Sequence, residues 1–155
     1  MSALTPRDQV SAIMSTKVVT VKATEKVNTA LRAMVRPQIG SVIVVDKGKP
    51  VGIITERDIS IKVAKGRKLP GMSVKNTMSK PLVTVPPSME IWQAVELMVR
   101  NDIRRLPVME GEKLVGMVTE RDILRWLVEI EYEPNVPEDL KRLLDTRAQA
   151  HSLAH

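Results

Sequence analysis

The sequence predicts an α+β fold of two β-α-β-β-α units, packed with pseudo-two-fold symmetry and followed by an extra C-terminal helix. The pentapeptide Thr-Glu-Arg-Asp-Ile at 55–59 recurs at 119–123. The same 64-residue offset aligns 14–59 with 78–123 without a gap, and 19 of those 46 pairs are identical. Both copies also carry the same order of strand and helix patterns. An internal repeat of this length indicates two copies of one structural unit.

In the first copy the elements follow from residue periodicity. The β-branched run 18–21 predicts a strand, and apolar residues spaced i, i+3, i+4 and i+7 from Val27 predict an amphipathic helix. The apolar run 41–45, a turn and the run 51–54 predict a β-hairpin. The segment 57–65 predicts a helix that closes the unit.

The second copy repeats these elements 64 positions later. Strand 82–85, a helix starting at Ile91, the hairpin 106–118 and the helix 121–131 correspond in turn. Pro107 interrupts the hairpin, and because proline has no N–H to donate, it should lie at a sheet edge or where no N–H is needed.

The predicted organisation has four parts. Residues 1–66 form the first repeat with an N-terminal lead-in helix, 67–73 a linker, 74–131 the second repeat and 132–155 a helical tail. Each repeat has about 60 residues, which is marginal for an independent core, so the two should fold as one module.

Composition excludes several classes of function. The chain has no cysteine, and its two histidines lie within the last five residues, so we expect no catalytic residues, no metal site and no enzyme activity. We expect no cofactor. No apolar stretch reaches the length of a membrane span and no signal peptide is evident, so we expect a cytoplasmic protein without membrane contact.

The net charge of +6 favours anionic partners in general. Nucleic acid is not the expected partner, because aromatic residues make up only 2% of the chain and no nucleic-acid-binding motif occurs. The cations cluster once, at Lys62, Lys65, Arg67 and Lys68, where a helix C-terminus favours positive charge.

The repeated Thr-x-x-Asp supports two interpretations. Thr55 with Asp58, and Thr119 with Asp122, fit a capping box at the start of a helix. An ionised Asp can also accept hydrogen bonds from the vicinal hydroxyls of ribose. Two observations favour a ligand. A cap does not require Glu-Arg between its ends, yet both copies have it. Gly52 and Gly116 would also permit close approach of a ligand.

Together these motifs resemble a tandem pair of CBS (cystathionine β-synthase) domains, a Bateman module. The resemblance covers about residues 10–130 and rests on Met-Ser at 14–15 and 78–79, Val-Thr-Val at 19–21 and 83–85, and Leu-Pro-Val at 106–108. The Gly-h-h-Thr-Glu-Arg-Asp segments complete it, h being an apolar residue. The resemblance implies a non-catalytic regulatory module that binds AMP, ADP or ATP between the repeats and signals to a partner.

The resemblance also implies two sites, each drawing on both repeats. The site with ribose at Asp122 would comprise Lys17, Val19, Ile39, Gly40, Arg104, Arg105, Met117, Thr119, Arg121 and Asp122. The site with ribose at Asp58 would comprise Ile53, Thr55, Arg57, Asp58, Pro81, Val83 and Ile103.

The two sites are expected to differ at the phosphate. Arg104-Arg105 in the second copy is replaced by Gly40-Ser41 in the first, so the Asp122 site should bind phosphate better. The resemblance further implies a homodimer formed through helix faces. An S-adenosylmethionine binder, or a structural adaptor without nucleotide, stays open as an alternative.

Overall fold

The chain forms two compact units, each containing one repeat. The computed structural model describes residues 8–35, 37 and 39–131. The described residues of the first unit are 18–35, 37 and 39–82, and those of the second unit are 8–17 and 83–131. The α+β class predicted from the sequence is confirmed in both units. The predicted C-terminal helix falls in 132–155, outside the described residues.

The first unit contains a three-stranded sheet with strand order β1-β2-β3 and three helices. Its elements are β1 Thr20–Lys22, α1 Val27–Val35, β2 Ser41–Asp46, β3 Lys49–Thr55, α2 Glu56–Ala64 and α3 Val74–Thr77. Strand β1 is parallel to β2, and β2 is antiparallel to β3. The hairpin turn has positive φ at Lys47 (50°) and Gly48 (79°), which matches the right-handed twist of the flanking strands.

The second unit repeats the hairpin in the same register. Its elements are α4 Ile91–Asn101, β4 Arg105–Glu110, β5 Lys113–Thr119 and α5 Glu120–Glu131. Ser41 pairs with Thr55 in the first unit and Arg105 with Thr119 in the second. Each hairpin has a register shift at the equivalent place, after Val44 and after Val108. The sequence repeat is therefore a repeat of backbone pairing as well.

The predicted strand 82–85 is wrong, because only a single parallel bridge forms there, between Val85 and Val108. In the first unit, Ile43 donates its N–H to Val19 (3.1 Å) and Ala23 donates to Val45 (2.9 Å). The equivalent positions in the second unit are Pro107 and Pro87, which have no N–H. Two ladder bonds are lost, and the sheet there has two strands, β4 and β5. Pro107 thus lies where no partner strand requires its N–H.

The described lead-in segments, 8–17 and 74–82, each lie in the unit formed by the other repeat, whereas the sequence assigns 8–17 to the first repeat and 74–82 to the second. Ser15 and Met117 exchange backbone hydrogen bonds of 2.9 Å in the second unit. Ser79 and Ile53 exchange bonds of 2.8 and 3.1 Å in the first. Within the described part of the predicted lead-in helix, the chain forms a 3₁₀ turn at Val10–Ala12.

Each unit has an aliphatic core of its own. In the first unit every helix and strand contributes core side chains, and α1, β2 and β3 supply Val27, Ala30, Met34, Val42 and Ile54. The second unit uses the equivalent Ile91, Ala94, Met98, Leu106 and Val118, and adds Trp126. Among the described residues, no helix is both long enough and apolar enough to span a bilayer.

Candidate functional site

The Thr-x-x-Asp motif has the same geometry in both units. Thr55 donates its N–H and its hydroxyl to Oδ2 of Asp58, each at 2.9 Å, and the Asp58 N–H donates to Thr55 Oγ1 at 3.1 Å. The corresponding distances for Thr119 and Asp122 are 2.8, 2.9 and 3.3 Å. These bonds make a reciprocal capping box at the start of α2, so the capping interpretation is confirmed there. The same bonds hold the start of α5.

The capping box fixes the direction of the carboxylate but does not occupy all of its acceptor positions. In Asp58, Oδ2 accepts two hydrogen bonds, and Oδ1 accepts one from the hydroxyl of Ser79 at 2.7 Å. A carboxylate has about four acceptor positions, so the Asp58 bonds leave one for a further donor. Both residues of each pair are only half-buried, which keeps the carboxylate accessible.

Sequence reasoning missed Ser79. The sequence does contain a signal for this residue, because Met-Ser at 14–15 and 78–79 is identical in the two copies. The identity alone gives no partner, since Ser79 and Asp58 lie 21 residues apart and meet only through the bridge with Ile53.

The close neighbours of Gly52 and Gly116 are protein atoms, and close approach of a ligand there stays a prediction. A Cβ on Gly52 would lie 2.8 Å from Met78 Sδ and 2.8 Å from the carbonyl oxygen of Ser79. A Cβ on Gly116 would lie 2.6 Å from Met14 Sδ and 2.9 Å from the carbonyl oxygen of Ser15. The glycines therefore make room for the Met-Ser segments.

The positions that distinguish the two copies lie directly beside the motif in each unit. The Glu56 N–H donates to the Gly40 carbonyl at 3.0 Å, and the Glu120 N–H donates to the Arg104 carbonyl at 2.9 Å. Arg104 also pairs through its side chain with Glu120, Nε to Oε2, at 3.6 Å. Both side chains are largely exposed, and exposed pairs of this kind contribute about 0–1 kcal/mol. The second unit thus carries a cation beside its Thr-Glu-Arg-Asp motif where the first unit has Gly40.

Each predicted site draws its residues from both units. Of the Asp122 site, the second unit contains Lys17, Arg104, Arg105, Met117, Thr119, Arg121 and Asp122, and the first contains Val19, Ile39 and Gly40. Of the Asp58 site, the first unit contains Ile53, Thr55, Arg57, Asp58 and Pro81, and the second contains Val83 and Ile103. Each unit brings its own motif residues together. The composite sites stay predictions.

Comparison with known families matches two segments of the chain, 10–65 and 74–129, to the CBS domain. The chain belongs to the CBS domain family. It is a CBS domain pair, and the resemblance drawn from its repeated motifs is confirmed. Because 10–17 lies in the second unit, each CBS sequence domain is completed in space by the lead-in of the other.

Relatives of the CBS pair differ in length, and one of them was solved with bound adenosine compounds. An uncharacterized protein of Methanopyrus kandleri is 45% identical over 107 residues, which cover 67% of this chain and 54% of that protein. The CBS domain pair of protein MJ0100, solved in complex with 5′-methylthioadenosine and S-adenosyl-L-methionine, is 26% identical with a TM-score of 0.72, covering 78% of this chain and 96% of that one. A hexameric CBS-CP12 protein from bloom-forming cyanobacteria is 30% identical with a TM-score of 0.73, covering 94% and 85%.

The described part of the CBS pair offers no metal centre, since no three His, Cys, Asp or Glu residues cluster there. The chemistry available at the motif is that of an oriented carboxylate, a threonine hydroxyl and, in the second unit, nearby guanidinium groups.

Proposed function

We propose that this protein is a cytoplasmic regulatory module that binds an adenine nucleotide and signals its presence to a protein partner. AMP is the foremost candidate, followed by ADP and ATP. The observation that carries the proposal is the pair of carboxylates, Asp58 and Asp122, held in one orientation by the adjacent threonine. The ligand would be held non-covalently, without catalysis.

The ribose is the part of the ligand that this arrangement suits best. A ribose hydroxyl can donate to the acceptor position that these bonds leave on Asp58, as the ribose 2′-hydroxyl does to an acidic residue in dinucleotide-binding folds. Because Thr55 already fixes Asp58, little side-chain entropy is lost when a ribose is bound. Following the family resemblance, Val19, Ile39 and Gly40 would contact adenine at the Asp122 site, and Pro81, Val83 and Ile103 at the Asp58 site.

The phosphate distinguishes the two proposed sites. Arg104 and Arg105 flank Thr119 in the second unit, whereas Gly40 and Ser41 occupy the equivalent place in the first. The exposed Arg104–Glu120 pair is weak enough for Arg104 to turn to a phosphate. Arg121 is half-buried and Arg57 is exposed, and each is proposed as a further cation near its own Asp. We therefore expect the Asp122 site to bind nucleotides more tightly.

S-adenosylmethionine is a second candidate ligand. It is favoured by the likeness to the CBS pair of MJ0100, which was solved with that compound and with methylthioadenosine. Both compounds carry the same adenosine as AMP but no phosphate, so the Arg104-Arg105 cations separate the two candidates. Removing these cations should weaken AMP and leave S-adenosylmethionine unaffected.

Calorimetric titration of AMP, ADP, ATP and S-adenosylmethionine tests the proposal. Asp122→Asn removes the charge and half of the acceptor capacity at nearly constant volume, and should weaken the preferred ligand about tenfold or more. The control is Glu129→Gln, an exposed carboxylate further along the same helix, which should bind as the wild type does. If none of the four ligands binds the wild-type protein, the proposal is rejected.

A structural adaptor that self-associates is the second candidate function, because the capping boxes and the Met-Ser contacts account for the repeated motifs without any ligand. It is also favoured by exposed apolar side chains on α4 and α5, namely Trp92 (52% exposed), Val99 (75%) and Leu124 (53%). We propose a homodimer through these helices. Light scattering of the wild type and of Trp92→Glu tests it, and an unchanged mass would contradict it.

A further inference from the structure

The cation cluster of the sequence is gathered into a concavity in the first unit. The concavity has a volume of about 410 Å³ and is formed by the C-terminus of α2, the following loop and α3. Its polar lining consists of Lys62, Arg67, Lys68, Ser73, Asn76 and Thr77. No residue of either proposed adenosine site lines it, because Thr55 and Asp58 stand at the opposite end of α2.

The end of α2 explains why the three cations converge. Gly66 has φ +89°, and its N–H donates to the Val63 carbonyl at 3.0 Å, while the Arg67 N–H donates to the Lys62 carbonyl at 3.1 Å. These are the two bonds of a Schellman motif, which reverses the chain at a helix C-terminus. The reversal brings Arg67 and Lys68 back beside Lys62. A helix that frayed at this point would scatter the same three charges.

The floor of the concavity is built from buried residues. Met72 is 9% and Thr77 is 7% exposed, and both line it. The Thr77 hydroxyl donates to the Ser73 carbonyl at 2.8 Å, and the Ser73 hydroxyl accepts the Asn76 N–H at 3.2 Å. The floor is fixed to the start of α1 by the bond from the Val27 N–H to the Met72 carbonyl at 2.9 Å. The concavity is thus supported from beneath by the core.

Within the part of the chain that the structure describes, the charge of the concavity is uncompensated. None of the described lining residues is acidic, and among the described residues Lys62, Arg67 and Lys68 make no ion pair. The negative end of the α2 dipole explains some preference for cations, but it amounts to about half a charge and falls off within a turn. Three full positive charges remain in excess around one cavity.

We propose that this concavity is a binding site for a small polyphosphate compound, separate from the adenosine sites. Phosphate oxygens would accept from Arg67, Lys62 and Lys68, and Arg offers the fork geometry that suits phosphate. The side-chain amide of Asn76 adds a neutral donor at the rim. None of the described residues that line the cavity is aromatic, so the phosphates carry the proposed recognition rather than base stacking.

Titration with inorganic phosphate, pyrophosphate and tripolyphosphate tests this site, since none of the three contains adenosine. We expect one saturable site whose affinity rises with the number of phosphates. The triple variant Lys62→Gln, Arg67→Gln, Lys68→Gln should weaken tripolyphosphate binding at least about tenfold, because each of the three cations attracts the negatively charged phosphates. The matched control is Lys65→Gln, Lys75→Gln, Lys80→Gln, which removes the same charge from exposed positions outside the cavity and should bind nearly as the wild type.

A second variant keeps all three cations. Asn76→Asp adds a carboxylate at the rim without disturbing a side-chain hydrogen bond, since only the Asn76 backbone N–H is bonded to Ser73. It should weaken tripolyphosphate binding while the protein stays folded. Asp58→Asn should leave that binding unchanged, so failure of the adenosine proposal and failure of this one are distinguishable.

Three outcomes would overturn the proposal. Equal weakening in the cavity triple variant and its charge-matched control would mean unspecific attraction to net charge. Absence of saturable binding by all three phosphates would remove the site. Binding to vesicles of anionic phospholipid, without binding of the free phosphates, would assign the cations to a membrane surface.

Discussion

Substituting Gly52 with alanine should detach the Met78-Ser79 segment from β3. The new Cβ would lie 2.8 Å from the Ser79 carbonyl oxygen, closer than real Cβ contacts come. Met78 Sδ, also at 2.8 Å, could move aside, but the Ser79 carbonyl is held by its bond from the Ile53 N–H at 3.1 Å. Backbone must therefore shift.

The magnitude follows from these contacts. Forcing a methyl group into a packed site costs about 1–3 kcal/mol. If the segment moves instead, two backbone bonds are lost at about 0.5–1.5 kcal/mol each. Alanine recovers about 0.4–1 kcal/mol by restricting the unfolded chain. We expect the free energy of unfolding to fall by about 0.5–2.5 kcal/mol, with a similar effect for Gly116→Ala.

Urea denaturation measures the stability, and amide hydrogen exchange locates the damage. The N–H groups of Ser79 and Ile53 should lose protection in Gly52→Ala. Gly48→Ala is the control, because its Cβ meets nothing within 4 Å although its φ of +79° causes strain. It should leave the Ser79 amide protected. An unchanged unfolding midpoint and a protected Ser79 amide in Gly52→Ala, combined with weaker nucleotide binding, would refute this reasoning and restore a ligand-facing role for the glycine.

Four further outcomes are expected. Thr55→Ala and Thr119→Ala each remove a capping box and should lower stability by about 1 kcal/mol in urea unfolding, and Thr→Ser should restore most of it. Ile43→Ala should cost about 2–5 kcal/mol in the same assay, because the side chain is fully buried, whereas loss of less than 1 kcal/mol would contradict the assigned core. Arg104→Ala should change stability by under about 0.5 kcal/mol, because its pair is exposed, while AMP binding by calorimetry weakens severalfold; a stability loss instead would make the pair structural. Trp126→Phe should lower the free energy of unfolding by less than about 1.5 kcal/mol in thermal unfolding, because the buried Nε1 has no hydrogen-bond partner within the described residues. A phenylalanine ring would also keep an aromatic contact with Trp92, whose ring centroid lies 5.4 Å from that of Trp126.

Local elements were predictable because local physics decides them. The i, i+3, i+4, i+7 spacing from Val27 corresponds to α1, and the turn containing Gly48 connects a hairpin as expected. The capping box at Thr55 was foreseen from a spacing of three residues, since both of its partners lie in one helical turn. Of the candidate site, the motif residues and the adjoining Arg104-Arg105 were available from the sequence.

The prediction of a third strand in the second unit failed because that strand would depend on residues in two separate segments of the chain. Residues 82–85 have the composition of a strand, but a strand needs donors on both segments, and Pro87 removes one from its own segment and Pro107 one from the opposite strand. The pattern of one segment cannot reveal that its partner lacks an N–H.

The sequence by itself determined that this protein is two copies of one α+β unit with a capped Thr-x-x-Asp in each, because periodicity, turns and caps depend on neighbours along the chain. Only the tertiary structure decided which lead-in completes which repeat. Met14 packs against Gly116 and Ser79 donates to Asp58, contacts whose partners no sequence spacing specifies. The reversal at Gly66 likewise turns a row of cations into a cavity. Such contacts arise when distant segments share a sheet edge or a core, and their energies depend on packing rather than on composition.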